Sequence, residues 1–281
     1  PDPRIFYYDG RQYLTTISHL RLARSHDGIH FQVDDHPTIV PETPDETYGI
    51  EDPRVTEIDG VYYINFTASS DAGSGTKLIS TRDWQTFTRH GMIFHPLNKD
   101  VAIFPEKVNG LYHAFHRPDP GVFDRPSIWM AQSPDLFHWG NHRKIAGPQS
   151  DGWEAMKIGA GAPPISTEHG WLEIYHGVAG DESYCLGAML LDLEDPYRVI
   201  ARSMEPILSS QEPFEKDGYF PNVVFTDAVL RRRDDPDHLM VYYGAADTCI
   251  CLAETSIREI IDSLKEAPAE TTSAASRSHA K

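Results

Sequence analysis

The sequence predicts an all-β fold, a five-bladed β-propeller with a short C-terminal helix, and three observations carry that expectation. One order of strand and turn signals recurs five times along the 281 residues. The interval between recurrences, about 50 to 65 residues, is the size of a four-stranded blade. The segments between turns are rich in β-branched and aromatic residues and are joined by Asx-Gly pairs, which is hairpin chemistry. A two-sheet β-sandwich is the rival architecture, and sandwiches lack an internal repeat of this kind.

The first unit opens with Asp2-Pro3-Arg4-Ile5 and turns at Asp9-Gly10. It continues through Tyr13-Leu14-Thr15-Thr16 and Leu20-Arg21-Leu22-Ala23-Arg24 to Asp27-Gly28-Ile29-His30-Phe31. The second repeats the order with Asp52-Pro53-Arg54-Val55, Asp59-Gly60, strands at 62–67 and 77–81, and Asp83-Trp84-Gln85-Thr86-Phe87. The third has Phe104-Pro105-Glu106-Lys107, Asn109-Gly110, strands at 112–117 and 128–133, and Asp135-Leu136-Phe137-His138-Trp139. The fourth has Ala162-Pro163-Pro164-Ile165, His169-Gly170 and strands at 171–177 and 184–192. The fifth has Val223-Val224-Phe225, a polar turn at 234–237 and strands at 240–244 and 249–254.

Residues 256–265 read as a short helix. Ser256 and Glu259 have capping-box spacing, and Ile257, Ile260, Ile261 and Leu264 fall on one face that can pack across the propeller. Beyond Ala267 the chain is mostly Ala, Ser, Thr and Glu without an apolar pattern. The expected organisation is a single propeller catalytic domain over residues 1–266 and a disordered tail over 267–281.

A formal charge of -17 and a pI near 5.1 argue against nucleic-acid or anionic-membrane partners. The cysteines, Cys185, Cys249 and Cys251, are odd in number and fit neither a disulfide framework nor a zinc site. They suggest reduced thiols and a cytoplasmic protein. The histidines show no zinc-ligand spacing, so no metal is expected. Oligomeric state is left open, a homo-oligomer included.

The chemistry centres on Tyr48-Gly49-Ile50-Glu51-Asp52-Pro53-Arg54, two adjacent carboxylates and an arginine before a strand. Proline after Asp52 is expected to hold that residue extended, a stiff mount for an acid. An Asp52–Arg54 ion pair explains the same residues without chemistry. Propellers bring residues at one offset in different blades to a central channel. Counting from each turn glycine, the strand ends carry Thr16, Thr67, His116 with Arg117, His176 and, a little later, Asp247. Lys99 and Lys157 precede the third and fourth units. Singly, each basic residue reads as a solvated or paired side chain. Converging in an acidic protein, they describe a small-anion site. Tyr48, Tyr112, Trp129, Trp153 and Tyr175 could stack on sugars, or simply fill blade interiors.

The stretches 49–54, 98–107, 116–118, 133–140, 157–164, 175–177 and 242–247 together resemble glycoside hydrolase family 130, the inverting β-mannoside phosphorylases. The likeness runs from about His19 to Ile261. It implies a five-bladed propeller and phosphorolysis of β-mannosides to α-mannose 1-phosphate. By motif, it implies Asp52 as general acid acting through the 3-hydroxyl of the bound mannose. Lys99, Arg117, Lys157, His176 and Tyr184 would hold phosphate or the adjoining sugar, and Asp247 mannose hydroxyls. Thr67 and His116 are further candidates for substrate contact. The family's N-terminal asparagine and arginine are not matched at 2–4 or 14–17, and Arg24 is the candidate substitute. Phosphate is a co-substrate and no other cofactor is implied.

The resemblance and the residues agree, because phosphate needs positioning and charge neutralisation where an inverting hydrolase needs a second carboxylate to activate water. The favoured substrate is β-1,2-mannobiose or a short oligomannoside, ahead of β-1,4 linkages. A β-mannosidase, with Glu51, Glu106, Glu154 or Glu173 as base, is the enzymatic alternative. A mannoside-binding propeller without turnover is the non-enzymatic one.

Overall fold

A computed structural model of the protein describes residues 5–14 and 18–266. Two short hairpins come first, β1 (Ile5–Tyr8) with β2 (Arg11–Leu14) and β3 (Ala23–Arg24) with β4 (Gln32–Val33). Four antiparallel sheets follow in chain order. The first is β5 (Ile50–Ile58), β6 (Val61–Ser70), β7 (Gly73–Thr81) and β8 (Thr88–Phe94). The second is β9 (Asn98–Ile103), β10 (Tyr112–Pro118), β11 (Ile128–Ser133) and β12 (Gly140–Ala146). The third contains β13 (Lys157–Ala160), β14 (Ile165–Thr167), β15 (Gly170–Val178), β16 (Tyr184–Leu191) and β17 (Val199–Arg202). After the one-turn helix α1 (Pro213–Lys216), the fourth is β18 (Val224–Arg231), β19 (His238–Ala245) and β20 (Cys249–Ser256). The helix α2 (Ile257–Ser263) and β21 (Lys265–Glu266) end the described chain, β21 pairing with β17.

The hairpin turns are chemically specified. Asp9-Gly10, Asp59-Gly60 and Asn109-Gly110 have both residues at positive φ, the two-residue turn whose twist matches paired strands. A second device recurs after three of the strands. The Asp27, Asp83 and Asp135 carboxylates each accept two backbone N–H groups two and three residues on. The residue after each aspartate, Gly28, Trp84 or Leu136, is left-handed. Glycine suits that conformation, and Leu136 is held in it by burial in the core.

The sheets are arranged like propeller blades, with apolar cores between successive faces. Leu78, Ile103 and Ala131 join the first sheet to the second; Phe104, Phe115, Tyr175 and Met189 join the second to the third. Leu172, Leu186, Val224, Val241, Ile257 and Ile260 join the third to the fourth and to α2. Each fully buried Leu or Phe contributes roughly 1.5–3 kcal/mol. The Ser256 hydroxyl accepts the Glu259 N–H and starts α2, but the helix is shorter than residues 256–265. It ends at Ser263 because Leu264 turns extended and the next two residues join a sheet.

The first strands adjoin in space, β5 against β9, β9 against β13 and β18 against β5. The start of each first strand therefore lies beside the end of its second strand at one rim. Lys99 is opposite Arg117, Gly159 opposite His176 and Glu51 opposite Thr67. The expectations for residues 2–4, for Thr16 and neighbouring 15–17, and for the 267–281 tail lie outside the described residues. No helix among the described residues is long and apolar enough to cross a membrane.

Candidate active site

The site is built around one buried arginine. Arg54 is 1% exposed. Its Nε donates to the Gly161 carbonyl at 2.7 Å, Nη2 to the Ala160 carbonyl at 3.1 Å and Nη1 to the Asp52 carbonyl at 3.2 Å. Nη2 also stands 2.9 Å from Asp227 Oδ1 and 3.8 Å from Asp100 Oδ1. The Asp227 contact is an ion pair whose geometry falls outside that of a hydrogen bond. The Asp52–Arg54 side-chain pair that the sequence left open does not form. Arg54 takes the backbone oxygen of Asp52 and spends its charge on two other aspartates.

Asp100 organises the basic side. It is buried, accepts from Arg117 Nε and lies 3.4 Å from His176 Nε2. Burial would raise its pKa, but Arg117, His176 and Arg54 outweigh that and hold the carboxyl well below the usual range. Glycine is required opposite, since a Cβ on Gly159 would lie 2.1 Å from Asp100 Oδ2 and 2.5 Å from His176 Cε1, through which no side chain could pass. Burial pulls the His176 ring down to about 3, with Asp100 opposing and Arg117 and Lys157 reinforcing, so the ring is neutral. It stacks on Tyr184, centroids 5.9 Å apart, and packs at 4.6 Å on Phe225. Lys157 Nζ lies over the Tyr184 ring at 4.8 Å and makes no ion pair among the described residues.

Asp52 faces this cluster with no hydrogen bond or ion pair to its carboxyl among the described residues. It is half-buried. Burial raises its pKa; Lys99 opposes, and Glu51 and Asp100 add to the rise. Lys99 is held at 2.8 Å by Glu51. Burial would lower the Lys99 pKa, yet Asp52 and Glu51 together lift it above the ordinary value. Asp52 is not extended as the following proline suggests. Its φ is +53°, and it sits where the β5–β6 register slips between Glu51 and Arg54. The extra residue of the bulge re-aims the carboxyl, and aspartate tolerates the left-handed conformation.

The structure thus gathers Asp52, Lys99, Arg117, Lys157, His176 and Tyr184. Thr67 is buried opposite Glu51, beside the cluster. His116 is 3% exposed, with one ring nitrogen engaging Asn98 and the other His142 Nδ1 at 3.0 Å. Successive residues of a strand point to opposite faces, so His116 and Arg117 cannot share the channel. Arg24 pairs with Asp34 at 2.6 Å on an exposed hairpin. Asp247 is exposed in the β19–β20 turn at φ +51°, on the same rim. Tyr175 is an interior residue, its hydroxyl donating to Glu154 at 2.7 Å beside Arg202.

Sequence reasoning missed Asp100 and Asp227 as site residues. Both lie in first strands close to a register slip, as Asp52 does. Asp227 lies at the bulge between Thr226 and Ala228. Burial pushes its pKa up to about 7, Arg54 and Lys99 opposing and the Asp52 and Asp100 charges adding. No group of three or more His, Cys, Asp or Glu among the described residues could hold a metal ion.

Residues 2–266 match the model of the family described as β-1,4-mannooligosaccharide phosphorylase. The chain is 42% identical over 268 residues to the β-1,2-mannobiose phosphorylase of Listeria innocua, covering 94% of this chain and 75% of that protein. It is 42% identical over 254 residues to the 1,2-β-oligomannan phosphorylase of a Thermoanaerobacter species, covering 89% and 82%. The solved Listeria innocua phosphorylase in complex with β-1,2-mannobiose superposes with a TM-score of 0.89, over 93% of this chain and 74% of that one. The motifs read along the sequence, the blade-like sheets and the match over residues 2–266 agree: the chain belongs to glycoside hydrolase family 130, a family of mannoside phosphorylases.

Proposed function

We propose that the protein is an inverting phosphorylase that cleaves β-1,2-mannobiose or short β-1,2-oligomannosides with phosphate, releasing α-mannose 1-phosphate. The observation that carries this is the pairing of one unpartnered, half-buried carboxyl, Asp52, with a basic face of Arg117, Lys157 and neutral His176. A phosphate oxygen attacks the anomeric carbon as its bond to the leaving sugar breaks. The proton that the leaving oxygen needs comes from Asp52, relayed through the mannose 3-hydroxyl, and Asp52 is then reprotonated by the departing phosphate proton or by water. Raised by burial, Asp52 keeps that proton nearer neutrality than an exposed aspartate does. Arg117, fixed by Asp100, offers its remaining N–H groups to phosphate, and Lys157 offers an ammonium with no competing carboxylate. Tyr184 orders both His176 and Lys157. The relatives' β-1,2 names favour that linkage over the β-1,4 linkage of the family description.

The hydrolytic alternative loses its candidate bases. Glu51 is engaged by Lys99, and Glu154 is buried against Arg202 and Tyr175. Glu173 is fully buried on the Gly161 N–H, and Glu106 is exposed beyond the far end of β9. The same reading treats the fivefold sequence repeat as five blades in one domain, acting in the cytoplasm with phosphate as the sole small-molecule co-substrate. Incubating β-1,2- and β-1,4-mannobiose with and without phosphate tests it. Mannose 1-phosphate formed only with phosphate, and faster from the β-1,2 substrate, supports the proposal; free mannose at equal rates in both refutes it.

A further inference from the structure

Three first-strand aspartates surround Arg54, and two have duties in the reading above. Asp52 is the acid, and Asp100 holds Arg117, His176 and Arg54. Asp227 is unassigned. Its inner oxygen, Oδ1, is buried against Arg54 at 2.9 Å. Its outer oxygen, Oδ2, is not buried and has no hydrogen bond among the described residues, and the side chain keeps 24% of its surface open. Neutralising Arg54 needs only the inner oxygen. The bulge that aims Asp227 is itself fixed, since Thr226 Oγ1 donates to the Tyr242 carbonyl at 2.6 Å. Two residues before it, Phe225 packs on His176 at 4.6 Å, and the guanidinium that holds Asp227 also holds the Asp52 carbonyl. The open oxygen is therefore one arginine away from the acid and beside the basic face.

We infer that Asp227 is a substrate-positioning residue: its outer carboxyl oxygen takes a hydroxyl of the mannosyl unit held beside Asp52, while Arg54 locks its inner oxygen. This rests on the proposed phosphorolysis of a mannoside. A carboxyl group fixed at one oxygen and open at the other presents a hydrogen-bond partner of defined direction. Such a contact orients the sugar relative to Asp52 and is lost when either the carboxylate or the hydroxyl is removed.

The test is a double cycle between protein and substrate. Wild type, Asp227→Ala and Asp227→Asn are assayed with β-1,2-mannobiose and with monodeoxy analogues altered one hydroxyl at a time on the non-reducing unit. Asp227→Ala is expected to lower kcat/KM for mannobiose about 10- to 100-fold, with the KM for phosphate changed less than about threefold. On one analogue the penalty should shrink to under about threefold, because the partner hydroxyl is already gone. An equal penalty on every analogue overturns the inference and leaves Asp227 as a counter-ion for Arg54. If Asp227→Ala does not fold, Asp227→Asn carries the same comparison. Absent or phosphate-independent turnover by the wild type sinks the activity reading alone, and calorimetric binding of β-1,2-mannobiose then decides. Weaker binding by the variants supports the contact; equal binding by all, or binding by none, overturns it.

Discussion

Replacing Arg54 with methionine keeps much of the side-chain length and removes every donor. At 1% exposure no water can take over its contacts. The carbonyls of Gly161 and Ala160 lose partners at 2.7 and 3.1 Å, and Asp227 and Asp100 lose the cation at 2.9 and 3.8 Å. Breaking a buried pair by deleting one partner costs about 3–5 kcal/mol. In a protein of this size each kcal/mol moves Tm by roughly 2–4 °C, so Arg54→Met should melt roughly 6–20 °C lower in scanning calorimetry. Turnover should fall with it even at temperatures where the variant is folded, because the β5 bulge that aims Asp52 is tied to β13 through this guanidinium. A variant melting within about 2 °C of wild type, with normal phosphorolysis, would refute the view that Arg54 sets the site's geometry.

Asp52→Asn should abolish turnover while leaving Tm nearly unchanged, since asparagine also tolerates φ +53° and the carboxyl has no protein partner to lose; retained phosphorolysis would place the acid elsewhere. Lys157→Ala and Arg117→Ala should separate binding from folding. Both should raise the KM for phosphate at least about tenfold, about 1.4 kcal/mol. Only Arg117→Ala should also lower Tm, because it leaves buried Asp100 without its charged hydrogen bond, whereas Lys157 has no ion pair to lose; equal melting of the two contradicts the structure. For Asp227 the folded pKa is raised from 3.8 to about 7, so across that window the folded state holds a proton that the unfolded chain has released. Wild type should therefore lose stability relative to Asp227→Asn as pH rises from about 4 to about 7, read as the difference between two denaturation series. A flat or opposite difference would show that burial and the Asp52 and Asp100 charges do not raise the Asp227 pKa.

What was legible in the sequence is what neighbours along the chain dictate. Asp59-Gly60 and Asn109-Gly110 specify hairpins by their φ requirements, and Ser256 with Glu259 specifies a helix start. Lys99, Arg117, Lys157 and His176 were legible because first-strand starts and second-strand ends share a rim in any such repeat. Partner choice across the fold was not. Arg54 reads as a partner for Asp52, two residues away, yet its strong contacts lie 106 and 107 residues on. His116 and Arg117 were equally placed in the sequence, and only strand parity in the folded sheet separates them. Asp52 itself carried two conflicting signals. The following proline argues for extension, but the register slip needs a left-handed residue, and the slip wins because the β5–β6 pairing on both sides of it is buried.

The charge arrangement resolves a conflict built into the proposed reaction. A general acid must hold its proton near neutrality, which strong cations beside it would prevent, while a phosphate site needs those cations close by. The structure separates the two demands by assigning partners. Asp100 takes Arg117, His176 and the edge of Arg54; Asp227 takes the rest of Arg54; Glu51 takes Lys99. Asp52 is left among carboxylates as well as cations, so burial and the charges of Glu51 and Asp100 prevail over Lys99 and Arg54, and its pKa rises. Lys157 is left without a carboxylate and so keeps its charge for an arriving anion. When phosphate binds, its negative charge adds to those of Glu51 and Asp100 and tightens the proton on Asp52 further. On this argument the acid is best prepared only when the nucleophile is present, and the pH limit of turnover set by Asp52 should move upward as phosphate becomes saturating. A pH limit independent of phosphate concentration would separate the two halves of the site and contradict the argument.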